Sequence, residues 1–136
     1  MPFTPAQMYA LVNDVESYPL FLPWCREAKL LSSDVDRLEA SLTLAAGKIH
    51  QTFSTANSMV PGRSIVIRLL DGPFKYMNGN WQFDPEGEKS CRITLRMEFE
   101  FKNRLMKLAL DKMFGHVVNT LIDAFTQRAY QVHGGG

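Results

Sequence analysis

The sequence predicts an α+β fold: a curved antiparallel sheet of six strands with a long C-terminal helix laid across its concave face. Three observations carry this. Apolar residues at helical spacing open the chain, alternation of apolar and polar residues fills positions 26 to 101, and a broad apolar stripe at helical spacing closes it. A meander followed by one long amphipathic helix has one sheet face to cover, which is a two-layer solution.

Taken in order, Thr4 can cap the first helix and Pro5 occupies its favoured first position, with Met8, Leu11, Val12 and Val15 on one face. Pro19 and Pro23 leave at most one irregular turn between Ser17 and Trp24. Strands are expected to begin near residues 26, 37, 48, 63, 76 and 89. Leu38, Ala40, Leu42 and Leu44 alternate with Glu39, Ser41 and Thr43, and Ile49, Gln51, Phe53 and Thr55 with His50, Thr52 and Ser54. Ile65, Ile67 and Leu69 alternate with Ser64 and Arg68, and Trp81 and Phe83 flank Gln82. The clearest case sets Cys91, Ile93, Leu95, Met97, Phe99 and Phe101 against Arg92, Thr94, Arg96, Glu98 and Glu100. Such patterns mark strands with one buried and one wet face. Turn chemistry separates them at Ser33-Asp34, Ala46-Gly47, Pro61-Gly62, Asp71-Gly72-Pro73 and Asp84-Pro85-Glu86-Gly87.

The last helix is expected from about Asn103 to Tyr130. Leu105, Leu108, Ala109, Met113, Val117, Leu121 and Phe125 form its stripe, widened by Leu110, Phe114, Val118, Ile122 and Ala129. That width suits a sheet better than a single partner helix. A cylinder cannot fill a wide trough, so a cleft between helix and sheet is the natural place for a ligand. Residues 1–133 read as one domain, and Gly134, Gly135 and Gly136 as a disordered tail.

Composition narrows the function classes. With 136 residues and 46% apolar types, the chain can bury a core without disulfides or metal. A net charge of +1 argues against a strongly basic nucleic-acid binder, so no DNA partner is expected. No apolar run approaches the ~18 to 20 residues of a membrane span, and no secretory signal opens the chain. A soluble chain is expected on that ground. Cys25 and Cys91 fit neither a disulfide framework nor a CxxC pair and predict buried thiols in a reducing cytoplasm.

Three blocks carry a family resemblance. Asn13-Asp14-Val15-Glu16-Ser17-Tyr18-Pro19-Leu20-Phe21-Leu22-Pro23-Trp24-Cys25 resembles the DVxxYPxFLPWC signature of the coenzyme-Q-binding and ribosome association toxin (RatA) family. Leu70-Asp71-Gly72-Pro73-Phe74-Lys75-Tyr76-Met77-Asn78-Gly79-Asn80-Trp81-Gln82-Phe83 is similar to its LxDGPFxxLxGxWxF block, and Asp123-Ala124-Phe125-Thr126-Gln127-Arg128-Ala129-Tyr130 to its DAFxxRA helix end. The family belongs to the START-like, Bet v 1-like helix-grip superfamily, which also holds polyketide cyclases and dehydrases. The resemblance implies a sheet gripping the last helix, with a further strand before the first helix. Met1 to Gln7 match the junction after that strand, so six strands are expected where the family has seven, with a free edge at Arg92 to Phe101.

Little in the sequence points to catalysis. His50 falls on a polar strand phase, His116 beside the helix stripe and His133 near the end, and no nucleophile elbow or Cys-His pattern accompanies them. Asp34, Asp36, Asp84, Glu86 and Glu88 cluster in turns, where a solvated role suffices. No glycine-rich phosphate loop is present. No metal site and no cofactor are expected.

Binding has more physical content. Leu22, Pro23 and Trp24 sit at a proline-stiffened corner, and Phe74, Tyr76 and Met77 follow a turn, where large apolar groups are unusual. Phe53, Leu69, Trp81 and Met97 on strands, and Leu105, Leu108, Ala109, Met113 and Val117 on the helix, complete the candidate ligand wall. Met97, Met106 and Met113 offer adaptable surface for a flexible chain. Tyr76, Asn78 and Arg68 are candidate donors to a polar head. The resemblance implies ubiquinone or another polyprenyl lipid as ligand, in support of respiratory electron transport. It also allows a transient contact with the inner membrane. Its other implication is binding to the 50S ribosomal subunit that blocks 70S formation, for which Lys102, Arg104, Lys107, Lys112 and Arg128 supply helix cations. A cyclase-like enzyme is the third possibility that the superfamily offers.

Overall fold

The computed structural model describes residues 2–46 and 48–134. Gly47, in the expected Ala46-Gly47 turn, and Met1, Gly135 and Gly136 lie outside the described residues. Gly134 closes the last helix through its N–H to the Tyr130 carbonyl.

The elements run α1 (Pro5–Asn13), a 3-10 helix (Val15–Leu20), six strands, and α2 (Arg104–His133). Thr4 caps α1 with a reciprocal pair: its hydroxyl accepts from the Gln7 N–H at 3.1 Å and Gln7 Oε1 accepts from the Thr4 N–H at 2.9 Å. Pro19 sits inside the 3-10 helix, whose tighter turn tolerates it at the cost of ending α1 early, so Val15 belongs to this second element. Asn103 caps α2 by accepting from the Met106 N–H at 2.9 Å.

Strands β1 (Cys25–Ser33), β2 (Arg37–Ala46), β3 (Ile49–Val60), β4 (Ser64–Asp71), β5 (Phe74–Pro85) and β6 (Cys91–Phe101) form one antiparallel sheet in chain order. In β2, β3, β4 and β6 the buried side chains fall on the inward phase read from the alternation, where the side chain is described. The β2–β3 ladder is regular from Arg37↔Ser58 to Ala46↔Ile49. The β5–β6 ladder is not: between Phe74 and Tyr76 two steps of β5 oppose one of β6. This bulge flips the phase, so Phe74 and Met77 both point inward and Tyr76 outward. The segment expected as a loop carrying Phe74, Tyr76 and Met77 is therefore the start of a strand.

Two apolar clusters hold α2 against the sheet. One gathers α1, the 3-10 helix, Trp81 and Phe83 around Leu121, Phe125 and Ala129 in the C-terminal half of α2. The other packs Leu44, Phe53, Phe74, Met77 and Phe101 around Leu110 and Phe114 in its N-terminal half. The result is the helix-grip arrangement. The stripe on α2 is narrower than expected at its start, because Leu105, Leu108 and Ala109 point to solvent, with Leu105 70% and Leu108 77% exposed.

At the β4–β5 turn, Gly72 adopts φ +148°, and a Cβ there would lie 2.5 Å from Cβ of Phe53. Gly72→Ala is expected to cost about 2–4 kcal/mol through this clash and the unfavourable φ. Gly62→Ala, at φ +73° with nothing within 4 Å, should cost only about 1 kcal/mol. Urea denaturation of both variants checks this; equal losses would remove the Phe53 contact from the account.

Candidate functional site

Where the two clusters meet, sheet and helix stand apart around a cavity of about 70 Å³. Short side chains leave this gap. Ala40 and Thr55 are direct partners across the β2–β3 ladder, flanked by the Leu38↔Asn57 pair, and Gly79 of β5 sits inward beside Ile67 and Met97. Phe114, Val117, Val118, Leu121 and Phe125 of α2 cover them. The corner after the 3-10 helix closes one side. There the Leu22 N–H reaches the Tyr18 carbonyl, the Cys25 N–H reaches the Leu22 carbonyl, and the Ala45 N–H of β2 reaches the Trp24 carbonyl at 2.9 Å. Trp24, half-buried, is thereby fixed as part of the wall.

Of the residues the sequence nominated, Trp24, Phe53, Met77, Trp81, Met97 and Val117 line the cavity. The rest lie elsewhere. Leu22 is 1% exposed inside the C-terminal cluster, because the corner folds inward. Phe74 is buried in the N-terminal cluster, and Leu69 and Met113 pack against its outside. Pro23 and Tyr76 face solvent, the latter through the β5 bulge, as do Leu105, Leu108 and Ala109. Arg68 and Asn78 are paired across β4–β5 on the outer face and reach no part of the cavity.

The space is also smaller than an isoprenoid tail requires. One water occupies about 10–15 Å³ by such a measure and a benzene-sized guest about 150 Å³, so 70 Å³ takes a few waters or part of a ring. Phenylalanines are the reason: Phe53, Phe74, Phe99, Phe101 and Phe114 contact one another with ring centroids 4.7–6.5 Å apart and fill the N-terminal half of the trough.

Polar groups in the wall are few. Thr55 and Asn57 are the buried polar residues of the described chain, at 6% and 9% exposure. Asn57 Oδ1 has no hydrogen-bond partner among the described residues. Asn13 and Asn80 also leave Oδ1 unpaired, but neither borders the cavity. Asn57 is the residue sequence reading missed. Its signal was a polar side chain on the inward phase Phe53, Thr55, Asn57, Met59. Among the described residues Tyr18 is the one ionisable residue of the wall; its hydroxyl donates to the Val12 carbonyl, and burial pushes its pKa upward. Next to Trp24, burial pushes the Cys25 thiol from 9.0 up to about 11. His50, His116 and His133 are exposed, and no group of three or more His, Cys, Asp or Glu side chains converges among the described residues.

Comparison with known proteins places this geometry. Residues 1–126 match the model of the family described as polyketide cyclase / dehydrase and lipid transport. The ribosome association toxin RatA of Pseudomonas aeruginosa is 43% identical over 134 residues, covering 98% of this chain and 93% of that protein. The mitochondrial coenzyme Q-binding protein COQ10 homolog B of Xenopus laevis is 29% identical, covering 97% of this chain and 56% of that protein. A START superfamily protein from Mycobacterium smegmatis superposes with a TM-score of 0.79 at 20% identity, covering 97% of this chain and 93% of that one.

Two measurements follow from the wall. Asn57→Leu, which removes a buried unpaired acceptor, should raise the stability of the empty protein by about 1 kcal/mol in urea denaturation; a loss would mean that the amide is structurally engaged. For Cys25, the folded pKa lies above the unfolded one, so its contribution is intact below about pH 9 and is lost as pH rises towards 11. The stability of the protein relative to Cys25→Ala should fall across that window and be flat below it.

Proposed function

The chain belongs to the polyketide cyclase / dehydrase and lipid transport family, within the group of RatA and coenzyme-Q-binding proteins, and from that premise we propose that it works by binding and not by catalysis. Its cavity takes a hydrophobic ligand, one polar group of which meets Asn57. The observation that carries this reading is the unpaired Oδ1 of Asn57 in a space otherwise walled almost entirely by apolar side chains. Leaving such an acceptor unmet costs about 1–3 kcal/mol, which a ligand hydroxyl donating to Oδ1 recovers. The wall offers no general base: Tyr18 is held protonated and its hydrogen is directed to Val12.

A polyprenyl quinone of the ubiquinone class is the ligand we favour, supported by the likeness to the coenzyme Q-binding relative. The reduced, quinol form of such a ligand carries the ring hydroxyl that donates to the unpaired Oδ1 of Asn57, whereas a quinone carbonyl can only accept from the amide nitrogen. The 70 Å³ available admits only part of the head ring. Entry of the ring therefore requires Met77 and Met97 to swing aside, which unbranched thioether chains do at low cost. The tail remains outside the present cavity.

A second reading has support of its own. The likeness to the P. aeruginosa protein named a ribosome association toxin is higher and spans nearly the whole of both chains, and ribosome association needs no cavity at all. Full-length protein isolated from its source cells and examined by native mass spectrometry and solvent extraction separates the two. The ligand reading expects a bound quinone, depleted at least about tenfold by Val118→Phe, which fills the cavity from α2. It also expects depletion by Asn57→Leu with the fold retained. Empty protein that comigrates with the large ribosomal subunit in a sucrose gradient, equally for wild type and Val118→Phe, would replace it with the second reading.

A further inference from the structure

The outward side of the first turns of α2 is unlike an ordinary solvated helix face. Leu105 and Leu108, three residues apart on one face, are 70% and 77% exposed, and Ala109 beside them is exposed too. Arg104 precedes Leu108 by one turn and Lys112 follows it by one turn, so the leucines lie between two cations. Below them an open groove of about 810 Å³ separates α2 from the ends of β5 and β6, with Phe99 and Phe101 in its wall. Lys75, Lys102, Arg104, Lys107 and Lys112 border this groove against two carboxylates, Glu100 and Asp111. All five cations are exposed, and among the described residues none is held in an ion pair. Arg128, by contrast, stacks over Phe21 at 5.2 Å and takes no part.

We propose that this face docks the protein onto an anionic phospholipid surface. Leu105 and Leu108 enter the acyl boundary, and Lys102, Arg104, Lys107 and Lys112 meet the head-group phosphates. The charge excess calls for an anionic partner, and exposed leucines at its centre call for one with an apolar layer directly beneath the charge. A bilayer has both; a nucleic-acid backbone has only the first. The face lies outside the cavity wall, so this inference stands apart from the ligand reading.

Sedimentation of the full chain with vesicles tests it. Vesicles of phosphatidylglycerol and phosphatidylcholine in equal parts should bind the protein about tenfold more than pure phosphatidylcholine, with the excess lost near 0.5 M salt. Leu105→Ser/Leu108→Ser and Lys107→Glu/Lys112→Glu should each lower binding at least about fivefold with an unchanged melting temperature. Val118→Phe should leave binding unaltered. Absence of binding, equal binding to both vesicle types, or full binding by the leucine variant would overturn the proposal. So would loss of binding to 50S subunits in these variants without any vesicle binding by the wild type.

Discussion

A helix of 30 residues laid in a six-stranded trough has to be covered at both ends before anything can be left open in the middle. Aromatic side chains do the covering. Phe74, Phe99 and Phe101 close on Phe114 at one end, and Trp81, Tyr18 and Phe21 close on Phe125 at the other. Each of these rings buries a large apolar area and most meet edge to face. With α2 fixed at Phe114 and Phe125, the Ala40–Thr55 pair between them cannot be reached by collapse, and the cavity follows. Site and stability thus come from the same packing. Enlarging the cavity means loosening one of the two grips.

This arrangement explains which parts of the molecule could be read from the chain. A period of two survives in β2, β3 and β6 because each has one face on α2 and one in water, so inward and outward residues were legible one by one. Periodicity carries no information on bulges. The extra residue at the start of β5 reverses the phase there and moves Tyr76 to the surface while keeping Phe74 inside. Nor does it tell how far a helix extends past the layer it covers. Leu105 and Leu108 fit the stripe by spacing yet lie where α2 overhangs the groove, with no sheet beneath them. The candidate wall was legible where strand phase governed it, as at Phe53, Trp81 and Met97, and illegible where the corner's fold decided, as at Leu22.

Likeness of fold leaves the activity open, since one superfamily houses transport, enzymatic and ribosome-directed functions. The discriminating features are local. Among the described residues the cavity wall holds one ionisable group, Tyr18, whose hydroxyl donates to the backbone. A carrier needs a hollow with a polar contact point, and an interaction module needs an unburied face. A hollow with a polar contact point and an unburied face lie on opposite sides of the same helix.

The unpaired amide at position 57 is the sharpest of these local features, and water is its obvious competitor as occupant. Ordered buried water commonly makes about three hydrogen bonds to its surroundings. The wall provides Asn57 and Thr55, while the Tyr18 hydroxyl proton is already donated. A water there would sit largely against Phe53, Val117 and the ring face of Trp81, which offer it no hydrogen bond. A guest with an apolar body and a hydroxyl donor matches the same surface better: its body regains the contacts that the gap forfeits, and its hydroxyl finds the unpaired oxygen. The composition of the wall, more than its present volume, is what argues for such a guest.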